Sequence, residues 1–153
     1  MIKATLLAVL ITLSADPILI NSCQATPKAV SIGTIISGAY SIRIETIPGY
    51  VGEEGMAKVI FIPTENYKWN KDYPSVLKII PIENEVASPV RKKINRDEFK
   101  PNGNDVVLCV PYKAKKKGRI KFKALVNFSV CNKKECLIFR DEKLTLSFIV
   151  VSK

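Results

Sequence analysis

The sequence predicts an antiparallel β-sandwich of about seven to nine short strands, on three observations. Residues 120–130 alternate strictly, with Ile120, Phe122, Ala124, Val126, Phe128 and Val130 on one side and Arg119, Lys121, Lys123, Asn127 and Ser129 on the other. Leu125 is the one apolar residue on the polar side, so the pattern is that of a strand with one face on a core and one in water. Several β-branched runs are framed by proline, and no apolar repeat near 3.6 residues is sustained anywhere in the chain.

Taken in order, the elements begin after a targeting segment. Lys3 precedes an uncharged apolar run from Ala4 to Ala15, ended by Asp16 and Pro17. As a helix that run spans about 18 Å, well short of a bilayer core of about 30 Å, so residues 1–25 read as a signal peptide rather than a membrane span. Cleavage after Ala15 or Ala25 implies plain secretion. Ile20-Asn21-Ser22-Cys23 also resembles a relaxed bacterial lipobox, which makes Cys23 a lipidation candidate, although Asn21 departs from that pattern. Either way the chain is expected to be exported, leaving residues 26–153 as a single β-sandwich domain. Ser41–Glu45 alternates apolar with polar, Met56–Ile62 is a β-branched run closed by Pro63, and Val76–Ile82 is another, framed by Pro74 and Pro81. Ile94–Phe99 fits one helical turn. Residues 104–113 and 119–130 flank Lys115-Lys116-Lys117-Gly118 and read as a hairpin, and residues 144–151 make the final strand.

Composition narrows the chemistry. The chain has 153 residues, and 24 Lys+Arg against 14 Asp+Glu give a net charge of +10. With no histidine there is no Ser-His-Asp or Cys-His nucleophile pair, no His-liganded zinc and no imidazole base. Gly49, Gly52 and Gly55 lack phosphate-loop spacing and lie beside Glu53 and Glu54. No cofactor and no metal are expected.

Four cysteines remain. In Cys131-Asn132-Lys133-Lys134-Glu135-Cys136 the four middle residues make a hairpin loop, which places Cys131 and Cys136 opposite each other, on the solvent side with Asn127 and Ser129. Residues paired across an antiparallel ladder are close enough for a disulfide. A bridge closing so short a loop constrains little chain, and Lys133 and Lys134 would favour a thiolate if it were reduced. A structural staple, a redox pair and a two-sulfur metal site are all open at this level, the last being a poor site without histidine. Pairing across the basic turn sets Cys109 opposite Ala124, about 23 Å from Cys131, so Cys109 reads as a buried, unpaired thiol.

Three segments then carry a resemblance: Gly52-Glu53-Glu54-Gly55-Met56-Ala57-Lys58-Val59, Tyr67-Lys68-Trp69-Asn70-Lys71-Asp72-Tyr73-Pro74, and Phe128-Ser129-Val130-Cys131 followed by Cys136. In this order they resemble the N-terminal, immunoglobulin-like domain of the bacterial thiol:disulfide interchange protein DsbD family and its free-standing relatives. The resemblance implies a periplasmic immunoglobulin-like sandwich. It also implies that Cys131 and Cys136 take electrons from a membrane thiol–disulfide transporter and pass them to other envelope proteins. The family's prolines after the second cysteine are replaced here by Leu137-Ile138-Phe139, and four residues rather than five separate the pair. Two functions are therefore expected: an accessory domain that binds an envelope protein, or a thiol–disulfide carrier. The lysines at 113–123 with Arg91, Lys92 and Lys93 suit an anionic envelope surface. They lack interleaved stacking aromatics, so no nucleic acid is expected. Trp69, Tyr67 and Tyr73 are expected to pack over one end of the sandwich or to shield the cysteines.

Overall fold

Alternation on this scale folds the chain into strands almost throughout, and the computed structural model describes Cys23, residues 30–80 and residues 86–153. Apart from Cys23, the signal segment read over residues 1–25 lies outside the described residues, including its cleavage positions at Ala15 and Ala25. The strands are β1 (Val30–Ile36), β2 (Tyr40–Ile47), β3 (Gly49–Tyr50), β4 (Glu54–Pro63), β5 (Lys68–Trp69) and β6 (Val76–Ile80). They continue with β7 (Ala87–Pro89), β8 (Lys93–Asn95), β9 (Lys100–Asn102), β10 (Asp105–Ala114), β11 (Gly118–Cys131) and β12 (Cys136–Val151). The seven with five or more residues build the sandwich, and the short ones trim its edges. The helical turn expected over Ile94–Phe99 is a 3-10 turn at Arg96–Glu98, because fully buried Ile94 is held in β8.

Two six-stranded sheets result. The first runs β1-β2-β4-β10-β7 with β9 also on β10, and the second runs β3-β12-β11-β6-β8 with β5 also on β11. All pairings are antiparallel except the short parallel contact of β3 with β12. One core fills the space between them, including Ile42, Val59, Phe61 and Leu108 from the first sheet and Phe122, Phe128, Leu146 and Phe148 from the second.

The hairpin expected across Lys115–Gly118 is not a hydrogen-bonded pair. β10 bonds to β4 and β11 bonds to β12, so the basic turn carries the chain from one sheet to the other. Both strands present their even-numbered residues inward, and facing each other across the core buries both apolar sides where lateral pairing would bury only one. Cys109 accordingly lies opposite Lys58, not Ala124.

Two tyrosines tie the sheets together. The Tyr112 hydroxyl, on the first sheet, donates to the Ile47 carbonyl at 3.1 Å and lies 3.4 Å from the Ile149 carbonyl of β12. Its ring packs on Phe148 at 4.3 Å and occupies space that glycine leaves open: a Cβ on Gly49 would sit 2.8 Å from the phenol oxygen. Towards the other end, Tyr40 of β2 donates to the Glu142 carboxylate of β12 at 3.0 Å. Burial, then the hydrogen bond to Glu142 and its charge, push the Tyr40 phenol well above its ordinary value of 10.0. Burial raises Tyr112 as well.

A raised phenol favours the protonated native state. The stability it contributes is therefore complete below pH 10 and is lost as pH climbs from there through the folded-state value. Urea midpoints of the parent chain should fall between about pH 10 and pH 12, and Tyr40→Phe should flatten that fall. At neutral pH Tyr112→Phe should cost about 0.5–1.5 kcal/mol, the typical net worth of a hydrogen bond.

Candidate functional site

The longest strands, β11 and β12, form a ribbon that ends in the Cys131–Cys136 hairpin. Up to Val126 their register is regular. Between Val126 and Phe128 it shifts, with Arg140 and Asp141 of β12 opposing the single Asn127. Asp141 takes the left-handed conformation (φ 53°) this bulge requires, and its backbone N–H donates to the Asn127 side-chain oxygen at 2.7 Å. Beyond the bulge the ribbon is anchored by aromatics. Phe128 stacks on Trp69 with ring centres 5.3 Å apart and an interplanar angle of 2°, and Trp69 stacks on Phe99 at 5.5 Å. Tyr40 meets Phe128 edge-on at 4.9 Å.

Trp69 thus packs into one end of the sandwich. That docking lays β5 along β11, pairing Trp69 with Val130 and Lys68 with Cys131. It also buries Ser129, which accepts a hydrogen bond from the Asn70 side chain at 3.5 Å, rather than leaving it in solvent as the alternation implied. Period two breaks here because the bulge and the added strand change what the face meets.

Cys131 and Cys136 are directly paired in register, 4.0 Å apart at Cα, and form a disulfide. The N–H of Asn132 donates to the Glu135 carbonyl at 2.9 Å, so the cysteines flank the hydrogen-bonded pair and take the close kind of cross-strand position. Asn132 also builds the loop: its side-chain oxygen accepts the N–H groups of Lys134 at 2.8 Å and Glu135 at 2.9 Å. Cys136 is exposed and Cys131 half-buried. An open cleft of about 870 Å³ lies against Cys131, lined by Tyr67, Lys68, Lys133 and Lys134 among others. The Tyr67 hydroxyl donates to Glu135 at 3.1 Å, and this bond is the main cause of a phenol held above its ordinary value. Tyr73 is tied into the turn through its backbone, its N–H donating to the Asn70 carbonyl and its carbonyl accepting from the Ser75 N–H.

The remaining cysteines correct the sequence reading. Cys109 is not a buried free thiol. It faces outward on β10, half-buried, and forms a disulfide with Cys23, 6.2 Å away at Cα. A sulfur in this bridge cannot also carry a lipid thioether, and a cut after Ala25 would remove the bridge. The two disulfides differ greatly in span, 86 residues against 5. Loop-closure entropy assigns about 4.5 kcal/mol to the long bridge and about 2 kcal/mol to the short one.

Sequence reasoning brought Cys131 and Cys136 together but missed Lys68, whose proximity depends on the two-residue strand β5. Among the described residues no cluster of His, Cys, Asp and Glu is suited to a metal, and no helix is long and apolar enough to cross a membrane. No family model and no curated protein sequence matches this chain.

The bridges should separate in a stability measurement. In protein that retains Cys23, Cys109→Ala should lower the urea-derived unfolding free energy by about 2–5 kcal/mol, and Cys131→Ala/Cys136→Ala by about 2 kcal/mol or less.

Proposed function

We propose that this chain is an exported β-sandwich whose Cys131–Cys136 bridge exchanges with the thiols of an envelope protein. The observation that carries this reading is the division between the two disulfides. In a chain cut after Ala15, which keeps Cys23, Cys23–Cys109 closes the long loop, whereas Cys131–Cys136 closes almost none and lies at the neck of a hairpin beside a cleft, with Cys136 exposed. Disulfides of either kind persist in oxidising compartments, which supports export to the periplasm or the cell surface. The resemblance to the N-terminal domain of the DsbD family supports the same chemistry and points to a membrane thiol–disulfide transporter as electron donor.

In this mechanism a partner thiolate attacks the Sγ of exposed Cys136. The Cys131–Cys136 bond breaks, a partner–Cys136 bond forms, and the electron pair leaves on Cys131. Lys68, its register partner, with Lys133 and Lys134 nearby, lowers the cost of that thiolate. The partner's second thiolate then attacks its own sulfur in the mixed disulfide and releases Cys136. Two electrons and two protons have passed from the partner dithiol to the pair, and the same steps in reverse deliver them to an oxidised recipient.

A second reading, an accessory domain that binds its partner without exchange, is favoured by the hairpin's own bracing through Asn132 and the Tyr67–Glu135 hydrogen bond. Reduction potential separates the two. A carrier pair should equilibrate at about −120 to −270 mV, and a value below about −300 mV would identify a structural bridge. Cys131→Ala should also accumulate a mixed disulfide through Cys136 when the protein is challenged with oxidised envelope extract.

A further inference from the structure

The two outer faces of the sandwich carry charge differently. On the first sheet, charged residues meet opposite charges across the ladder: Glu45 pairs with Lys58 and Glu54 with Lys113, while Arg43 bonds Glu45 at 3.0 Å. On the second sheet the register aligns Lys93 with Lys78, Lys78 with Leu125, and Leu125 with Lys143 in one row across β8, β6, β11 and β12. Lys123, Lys121 and Arg119 continue along β11 on the same side, opposite Thr145, Ser147 and Ile149. All six cations are exposed, and among the described residues none is in an ion pair. From the Lys78–Leu125–Lys143 row towards Arg119 the outward register positions hold no carboxylate, and exposed Asp141 stands at the bulge on the other side of the row. Like charges placed directly opposite each other, as in Lys78 and Lys93, destabilise a sheet. Sheet stability alone would favour a mixed layout like that of the first sheet.

From this juxtaposition we propose that the outer face of the second sheet docks flat on an anionic lipid bilayer. Strand spacing makes the row about 14 Å wide, and the β11 cations extend it about 20 Å along the strand, a surface that can reach several headgroups at once. Leu125 sits at the centre of the row and Ile80 is 39% exposed at its side, so short apolar side chains stand among the long cationic ones. That combination suits a headgroup interface, where lysine stems lie along apolar surface and their ammonium groups reach phosphate. Cys131 lies about 20 Å beyond Leu125 along β11, so docking leaves the hairpin uncovered. The proposal does not depend on thiol exchange.

The test is co-sedimentation of the exported chain, cut after Ala15 and so free of the apolar run, with vesicles of phosphatidylcholine in which about one-third is replaced by phosphatidylglycerol. Binding is expected at about 0.05 M salt, release at about 0.5 M, and none to phosphatidylcholine alone. Each basic residue at an anionic surface is worth about fivefold, so Lys78→Glu/Lys123→Glu/Lys143→Glu should weaken binding at least about a hundredfold. Lys58→Glu/Lys100→Glu/Lys113→Glu, an equal charge change on the other sheet, should leave it within about fivefold. Lys78→Glu alone should raise the urea midpoint, by relieving its repulsion with Lys93, while lowering vesicle binding. Equal loss in both triple variants would reduce the effect to net charge and overturn the proposal. So would retention on heparin or duplex DNA without vesicle binding.

Discussion

The stacking of Trp69 on Phe128 is the contact from which the hairpin end takes its shape. Phe128 is anchored in the core by Tyr40 and Phe61, so Trp69 finds a fixed platform and carries β5 with it. Once β5 is docked, three consequences follow together. The free edge of β11 is capped at Val130 and Cys131, Ser129 is sealed from water, and Lys68 is delivered opposite Cys131. A hairpin projecting from an uncapped ribbon would offer an edge strand and a mobile loop. Here the edge is covered and the Asn132 side chain fixes the loop from within. The disulfide therefore sits on a support whose shape is set by aromatic packing and backbone hydrogen bonds as well as by the sulfur bond.

How much of this was legible follows from which interactions are local. The facing of Cys131 and Cys136 depends on four intervening loop residues and the ladder on either side, and it could be read directly. So could the inward face of residues 120–126. The partner of a strand is a different matter. Residues 104–113 and 119–130 both alternate, and a basic turn joins them, but the same pattern serves two strands bonded side by side and two strands facing each other across a core. Only the competing claims of β4 and β12, strands far away in the chain, decide between these arrangements. Cys109 went astray for the same reason: its partner lies 86 residues upstream, and nothing near either residue relates them. Ser129 and Lys68 were hidden by β5, too short to carry a period.

Two disulfides of such different span contribute differently to stability. Conformational entropy rewards a bridge for the length of chain it closes, and Cys23–Cys109, which holds Cys23 at β10, closes a loop of 86 residues. Cys131 and Cys136, by contrast, are already held together by the hydrogen bonds of their own hairpin. Forming or breaking their bond therefore changes the chain's freedom far less than the long bridge does. For the exchange proposed above, that small change is the property the pair needs. A bridge on which the fold depended would, on reduction, risk the domain that presents it.

The charge pattern follows a similar logic of necessity. A protein of net charge +10 must place its excess somewhere, and the cheapest distribution spreads it over both faces and the turns. The first sheet shows that this chain can alternate signs across a ladder, as Glu45 with Lys58 and Glu54 with Lys113 demonstrate. On the second sheet it does the opposite, concentrating one sign on a single plane and accepting a lysine–lysine register pair. Solubility alone would be served as well by either layout, and sheet stability better by the mixed one. The asymmetry fits the docking proposed above, because a planar array of cations around Leu125 matches a planar array of anions more closely than it matches a groove or a point charge.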